Sequence, residues 1–112
     1  MKIPADILQA IESGTVEGYE NGRYAMMAWG SSNLVGHNEF DNYGQGWLKF
    51  KVNSTHFTGW VRCALNTKNS IDLSLESFSN RTGEYGTLRQ IRDIPKDKLA
   101  ETIDMLLEGK SS

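Results

Sequence analysis

Cys63 is the only cysteine, so no intrachain disulfide can form, and a reducing compartment is expected. No stretch approaches the roughly 20 apolar residues that a membrane-spanning helix needs. Residues 1–6 lack the apolar run of a signal peptide, so the expectation is a cytoplasmic protein without membrane contact. A basic excess is missing too. The 12 Lys and Arg are outnumbered by 14 Asp and Glu, for a net charge of −2. That balance excludes a domain dominated by phosphate binding, although a local basic patch stays open.

Catalytic signatures are equally scarce. There is no Gly-x-Ser-x-Gly, no Gly-rich phosphate loop and no Gly-x-Gly-x-x-Gly; Gly44-Gln45-Gly46 leads into a strand rather than out of one. His37-Asn38-Glu39 has the His-x-Glu spacing of zinc deaminases, which also need Pro-Cys-x-x-Cys, and a chain with one cysteine lacks it. No third ligand at readable spacing completes a metal site. Cys63 alternates inward with Val61 and Leu65, as a small buried hydrophobe does. The expectation is a protein with no cofactor, no metal and no enzymatic activity.

What is present describes one α+β domain over residues 1–112, with no repeat and no low-complexity segment. Hydrophobic residues at 38% and charged residues at 23% are ordinary for a globular chain, and 11 glycines with many Asn and Ser point to short strands joined by tight turns. The periodicity gives an N-terminal helix over residues 3–13, with Ile3, Ile7, Leu8 and Ile11 on one stripe and Gly14 as its stop. Asn21-Gly22 between two strand-like runs then predicts a β-hairpin pairing Tyr19 with Tyr24 and Glu20 with Arg23. Residues 30–46 read as a long polar loop, pinned by Phe40 and Tyr43 and long enough to be a recognition element.

From residue 47 an antiparallel β-meander follows. Leu48, Phe50 and Val52 alternate with polar neighbours, Val61, Cys63 and Leu65 do the same, and residues 71–76 make a third alternating strand. Apolar residues meet if Val52 pairs with Phe57, Phe50 with Gly59, Leu48 with Val61 and Leu65 with Ile71. Residues 87–94 are expected as a last strand, although Leu88, Ile91 and Ile94 fit neither helical nor strand period. A C-terminal helix spans residues 96–108, with the stripe Leu99, Thr102, Ile103, Leu106 and Leu107 and Gly109 as its stop, and residues 110–112 should fray. Both helices are expected on the sheet face carrying Leu48, Phe50, Val52, Val61, Leu65, Leu73 and Leu75.

The other face carries the candidate binding residues: Trp47, Lys49 and Lys51 beside Trp60 and Arg62, joined by Asp72, Ser74 and Glu76. The register above sets Trp47 across from Arg62 and Lys49 across from Trp60. Three readings follow. The pairs are solvated cation–π contacts worth about 0.5–1 kcal/mol each; or two copies of the chain, or this chain and another protein, meet there, because Trp and Arg are favoured at interfaces; or the rings stack on the bases of single-stranded nucleic acid while the cations neutralise phosphates. The strand order with its C-terminal helix over residues 47–108 resembles, in topology, the Whirly-type single-stranded DNA binders, which implies the third reading. The leading expectation is a homo-oligomeric binding module that uses this face and the 30–46 loop, with Phe40 and Tyr43 as contacts. A nucleic-acid binder comes second and a small-molecule binder or enzyme third.

Overall fold

Alternation of apolar side chains builds the sheet. The computed structural model describes residues 3–37, 46–54, 56–79 and 84–109. In chain order these form α1 (Ile3–Glu12), α2 (Gly22–Ala28), β1 (Ser32–His37), β2 (Trp47–Asn53), β3 (Thr58–Leu65), β4 (Ile71–Ser79), β5 (Glu84–Ile94), a 3-10 turn (Lys96–Lys98) and α3 (Leu99–Glu108). The strands make an antiparallel meander in the order β1-β2-β3-β4-β5. Leu48, Phe50 and Val52 of β2, Val61 and Cys63 of β3, and Ile71, Leu73 and Leu75 of β4 are all buried on one face. There they join Ile7 and Ile11 of α1, Ala25 and Met26 of α2, and Leu99, Ile103 and Leu107 of α3 in a single core. The expected architecture of N-terminal helix, antiparallel meander and C-terminal helix, packed on one sheet face, is the one observed.

The hairpin at Asn21-Gly22 is not. Asn21 is instead the N-cap of α2: its side-chain oxygen accepts from the backbone N–H groups of Arg23 and Tyr24 at 3.1 and 3.3 Å. Gly22 opens the helix because nothing larger fits. A Cβ there would lie 1.6 Å from the carbonyl oxygen of Ile11, and the Gly22 N–H donates to the Gly14 carbonyl at 2.9 Å. Asn and Gly thus serve a cap and a close backbone crossing rather than a two-residue turn. The burial pattern agrees: Ala25, Met26 and Trp29 are buried while Tyr24 and Met27 are exposed, the i, i+1, i+4 spacing of a helix and not the alternation of a strand. Tyr19 and Tyr24 therefore do not pair across strands.

Three boundaries also differ. The expected 30–46 loop contains β1, whose Val35, Gly36 and His37 pair with Lys49, Leu48 and Trp47; glycine and polar content concealed a short edge strand. Phe40 and Tyr43 lie outside the described residues. The β2–β3 register is shifted by two, with Val52 opposite Gly59, Phe50 opposite Val61 and Leu48 opposite Cys63. A shift by two keeps every side chain on its expected face. It arises because Asn53 pairs with Thr58, clamped by the Thr58 hydroxyl donating to Asn53 Oδ1 at 2.9 Å. Ser54, inside that turn, donates through its backbone N–H to the Phe57 carbonyl at 2.9 Å. The Leu65–Ile71 pairing is as expected. In β5 the irregular spacing has a direct cause, since the register slips between Leu75 and Glu76 and again between Ile71 and Leu73. The second slip lets Ile91 and Ile94 pair with Leu73 and Ile71 despite their three-residue separation. The first leaves Leu88 as the extra residue, 63% exposed.

Two substitutions test this arrangement by urea unfolding. Leu73→Ala in the buried centre of β4 should cost about 2–5 kcal/mol. Gly22→Ala should cost about 3 kcal/mol or more, because the added methyl meets backbone that cannot rotate away; in an exposed hairpin turn the same change would be far milder, so a loss under about 1 kcal/mol would contradict the α1–α2 crossing.

Candidate functional site

Period-two alternation and the antiparallel register decide which side chains share the second face of the sheet, and among the described residues no helix packs on it. Trp47, Lys49 and Lys51 project from β2, and Trp60 and Arg62 from β3. Ser74 and Glu76 follow on β4, and β1 contributes Val35 and His37. The structure therefore brings together the five sheet residues expected from sequence. Their pairing differs: Lys49 faces Arg62, Lys51 faces Trp60, and Trp47 faces Ala64.

Lys49 directly opposite Arg62 is a like-charge pair, unfavourable if left alone. Glu76 resolves it. Arg62 Nη1 lies 2.8 Å from one carboxylate oxygen of Glu76 and Lys49 Nζ 3.6 Å from the other. Lys49 also sits 4.7 Å above the centre of the Trp60 ring. Glu76 is only 6% exposed, and the side chains of Lys49 and Arg62 keep 19% and 14% of their surface. At the near end of the face His37 stacks on Trp47, with ring centres 5.6 Å apart and 25° between planes. Lys51 is the exposed cation of the set.

Alternation in the sequence places Glu76 and Asp72 on this face, where they could serve as counter-ions to a second copy. Both are engaged within the chain. Glu76 holds Arg62 and Lys49, while Asp72 Oδ1 accepts from the Asn66 side-chain amide and from the Asp93 N–H, each at 3.0 Å. The network of Asn66, Asp72 and Asp93 ties the β3–β4 turn to the end of β5. His37 had been read only with Glu39, which lies outside the described residues; its pairing opposite Trp47 depended on β1, which the sequence did not reveal.

The remaining chemistry is sparse. Cys63 is a free thiol at zero exposure, and burial pushes its pKa far up, away from nucleophilic use. Among the described residues no three His, Cys, Asp or Glu side chains gather as metal ligands would, and no helix is long and apolar enough to cross a membrane. An open hollow beside the end of α1 is lined by Ala10, Ser13, Gly14, Thr15, Lys96 and Asp97, where the Ser13 hydroxyl donates to the Gln9 carbonyl at 2.7 Å. Compared with protein-family models, with curated proteins and with solved structures, the chain matches none of them.

The ion-pair geometry makes a stability prediction. Glu76→Gln keeps the shape but leaves two cations facing each other with little water around them, and should cost about 1–3 kcal/mol in urea unfolding. Adding Arg62→Met should restore most of that loss, since the uncompensated charge goes with it.

Proposed function

We propose that the protein is a non-enzymatic interaction module that self-associates through the helix-free face of its sheet. Glu76 carries this reading. A carboxylate at the centre of the Trp–Lys–Arg patch already occupies Arg62 and Lys49. A phosphate would have to displace it or sit beside its negative charge, whereas a second protein surface can cover the patch with both of those ion pairs intact. The indoles of Trp47 and Trp60 supply the broad, rigid area that interfaces favour. A two-fold contact requires each surface to complement itself, and Glu76 cancels part of the positive charge that two copies would set against each other. A cytoplasmic setting accords with the single buried thiol.

The experiment is oligomeric state by sedimentation, with tryptophan emission alongside. Trp60→Glu should keep the circular dichroism spectrum and weaken the face contact, because it removes the broad indole surface and adds a charge that association would have to strip of water. Trp29, fully buried, gives a constant blue-shifted background, so changes in emission report Trp47 and Trp60. Unchanged association in Trp60→Glu would exclude the reading. Salt-sensitive binding of an oligonucleotide that vanishes in the Trp47→Ala, Trp60→Ala double variant would replace it with the nucleic-acid alternative.

A further inference from the structure

Among the described residues the sheet has two open edges, and they differ in kind. β5 is guarded: it slips register twice, places Asp93 at φ 59, and carries Arg89, Arg92 and Asp93, all exposed. Bulges and charges are the usual devices that keep an edge from recruiting another strand. β1 has the sequence Ser-Asn-Leu-Val-Gly-His, without a Lys, Arg, Asp, Glu or Pro. Its one device is the irregularity between Ser32 and Val35, where Asn33 adopts φ 54. Past that point Leu34 and Val35 are each 47% exposed, and among the described residues no strand lies outside them.

The geometry points to this edge as a second self-association site, in which β1 pairs antiparallel with β1 of another copy about a two-fold axis normal to the sheet. Three observations choose a second copy as the occupant. In an isologous contact a residue near the axis meets its own image, so any charge there would repel itself; β1 has none to repel. Space is the second. α1 lies chiefly over β2, with its first turn at Pro4 reaching over Gly36 of β1, so in a continuous sheet the bodies of the two α1 helices sit three strand spacings apart, roughly 14 Å, and packed helices need only about 8–10 Å. Shape is the third. In the register centred on Val35 that residue faces its own image on the helix-free face, where it lies beside Lys49. In the same register the second copy's Leu34 falls opposite Gly36, where the Pro4 ring occupies the place of a side chain and offers it an apolar neighbour. The pairing is short, so the contact is weak by itself and gains from any other contact between the same copies.

The site is independent of the face contact proposed above, and charge-swap mixing separates them. Val35→Lys and Val35→Glu each place like charges at the axis, and each alone should weaken edge association by about tenfold or more. Mixed in equal amounts they should recover it, because Lys then meets Glu; no position away from the axis behaves so. Sedimentation of both variants and their mixture should be run in the Trp60→Glu background, where the face contact is absent. Amide hydrogen exchange at residues 34–36 should slow as concentration rises in Trp60→Glu and stay fast in the Val35→Lys double variant. Concentration-independent exchange in Trp60→Glu up to about millimolar protein, or a mixture no more associated than its components, would overturn the edge site. Loss of face association in Trp60→Glu with edge pairing intact supports both, whereas failure of Trp60→Glu to change association removes the face reading alone.

Discussion

Trp29 and Asp104 hold the helical layer to the sheet. The indole N–H donates to Asp104 Oδ1 at 2.9 Å, with Trp29 at zero exposure and Asp104 at 2%. Trp29 caps α2, a helix of seven residues, far too short to persist without tertiary contacts. Its carbonyl accepts from the Asn53 N–H at 2.9 Å, so one residue joins α2, the end of β2 and the middle of α3. A carboxylate this deep is tolerable only when hydrogen-bonded. The α3 terminus is fixed to the same corner, where the His56 N–H donates to the Leu107 carbonyl at 3.1 Å and the Ser54 hydroxyl reaches it at 2.9 Å. The β2–β3 turn thus acts as a cap for α3, which explains why its register is set by Asn53 and Thr58 rather than by the apolar pattern alone.

How much of this could be read from sequence follows from which interactions are local. The stripe of α3 and the alternation in β2, β3 and β4 report burial directly, so those elements and both sheet faces were legible. Asn21-Gly22 was not, because the same dipeptide serves an I′ turn or an N-cap followed by a tight crossing, and only the position of the Ile11 carbonyl decides. The spacing of Ala25, Met26 and Trp29 held the answer in the sequence itself and was outweighed by the turn signal. β1 escaped because an exposed edge strand has no buried face to imprint alternation on its residues; its burial pattern is exposed almost throughout. β5 was blurred by its bulges, each of which breaks the period of two.

The candidate face shows the same division. Membership needs only parity, and parity survived a two-residue register error. Neutralisation needs the third strand's exact offset. Lys49 and Arg62 look like free cations in any pairwise reading of β2 and β3, and the arrival of Glu76 between them depends on Trp60 pairing with Glu76 across β3 and β4. Composition alone therefore overstated the basic character of the patch.

The proposed contacts have a consequence for assembly that follows from symmetry. Two sheets meeting face to face are related by an axis lying between them and parallel to their planes, whereas β1 edges meet about an axis normal to the sheet. The two axes are perpendicular. If they intersect, their combination closes as a tetramer of two ten-stranded sheets with helices outside; if they do not, the same contacts propagate without end. The twist between neighbouring strands, roughly −20 to −25°, turns the second half of a ten-stranded sheet well away from the first and so limits how much of the two faces can touch at once. The guarded β5 edge matters here. With bulges at Leu88 and before Ile94 and charges along its length, it would give the proposed extended sheet an end on each side, and growth along the hydrogen-bonding direction would stop at two copies.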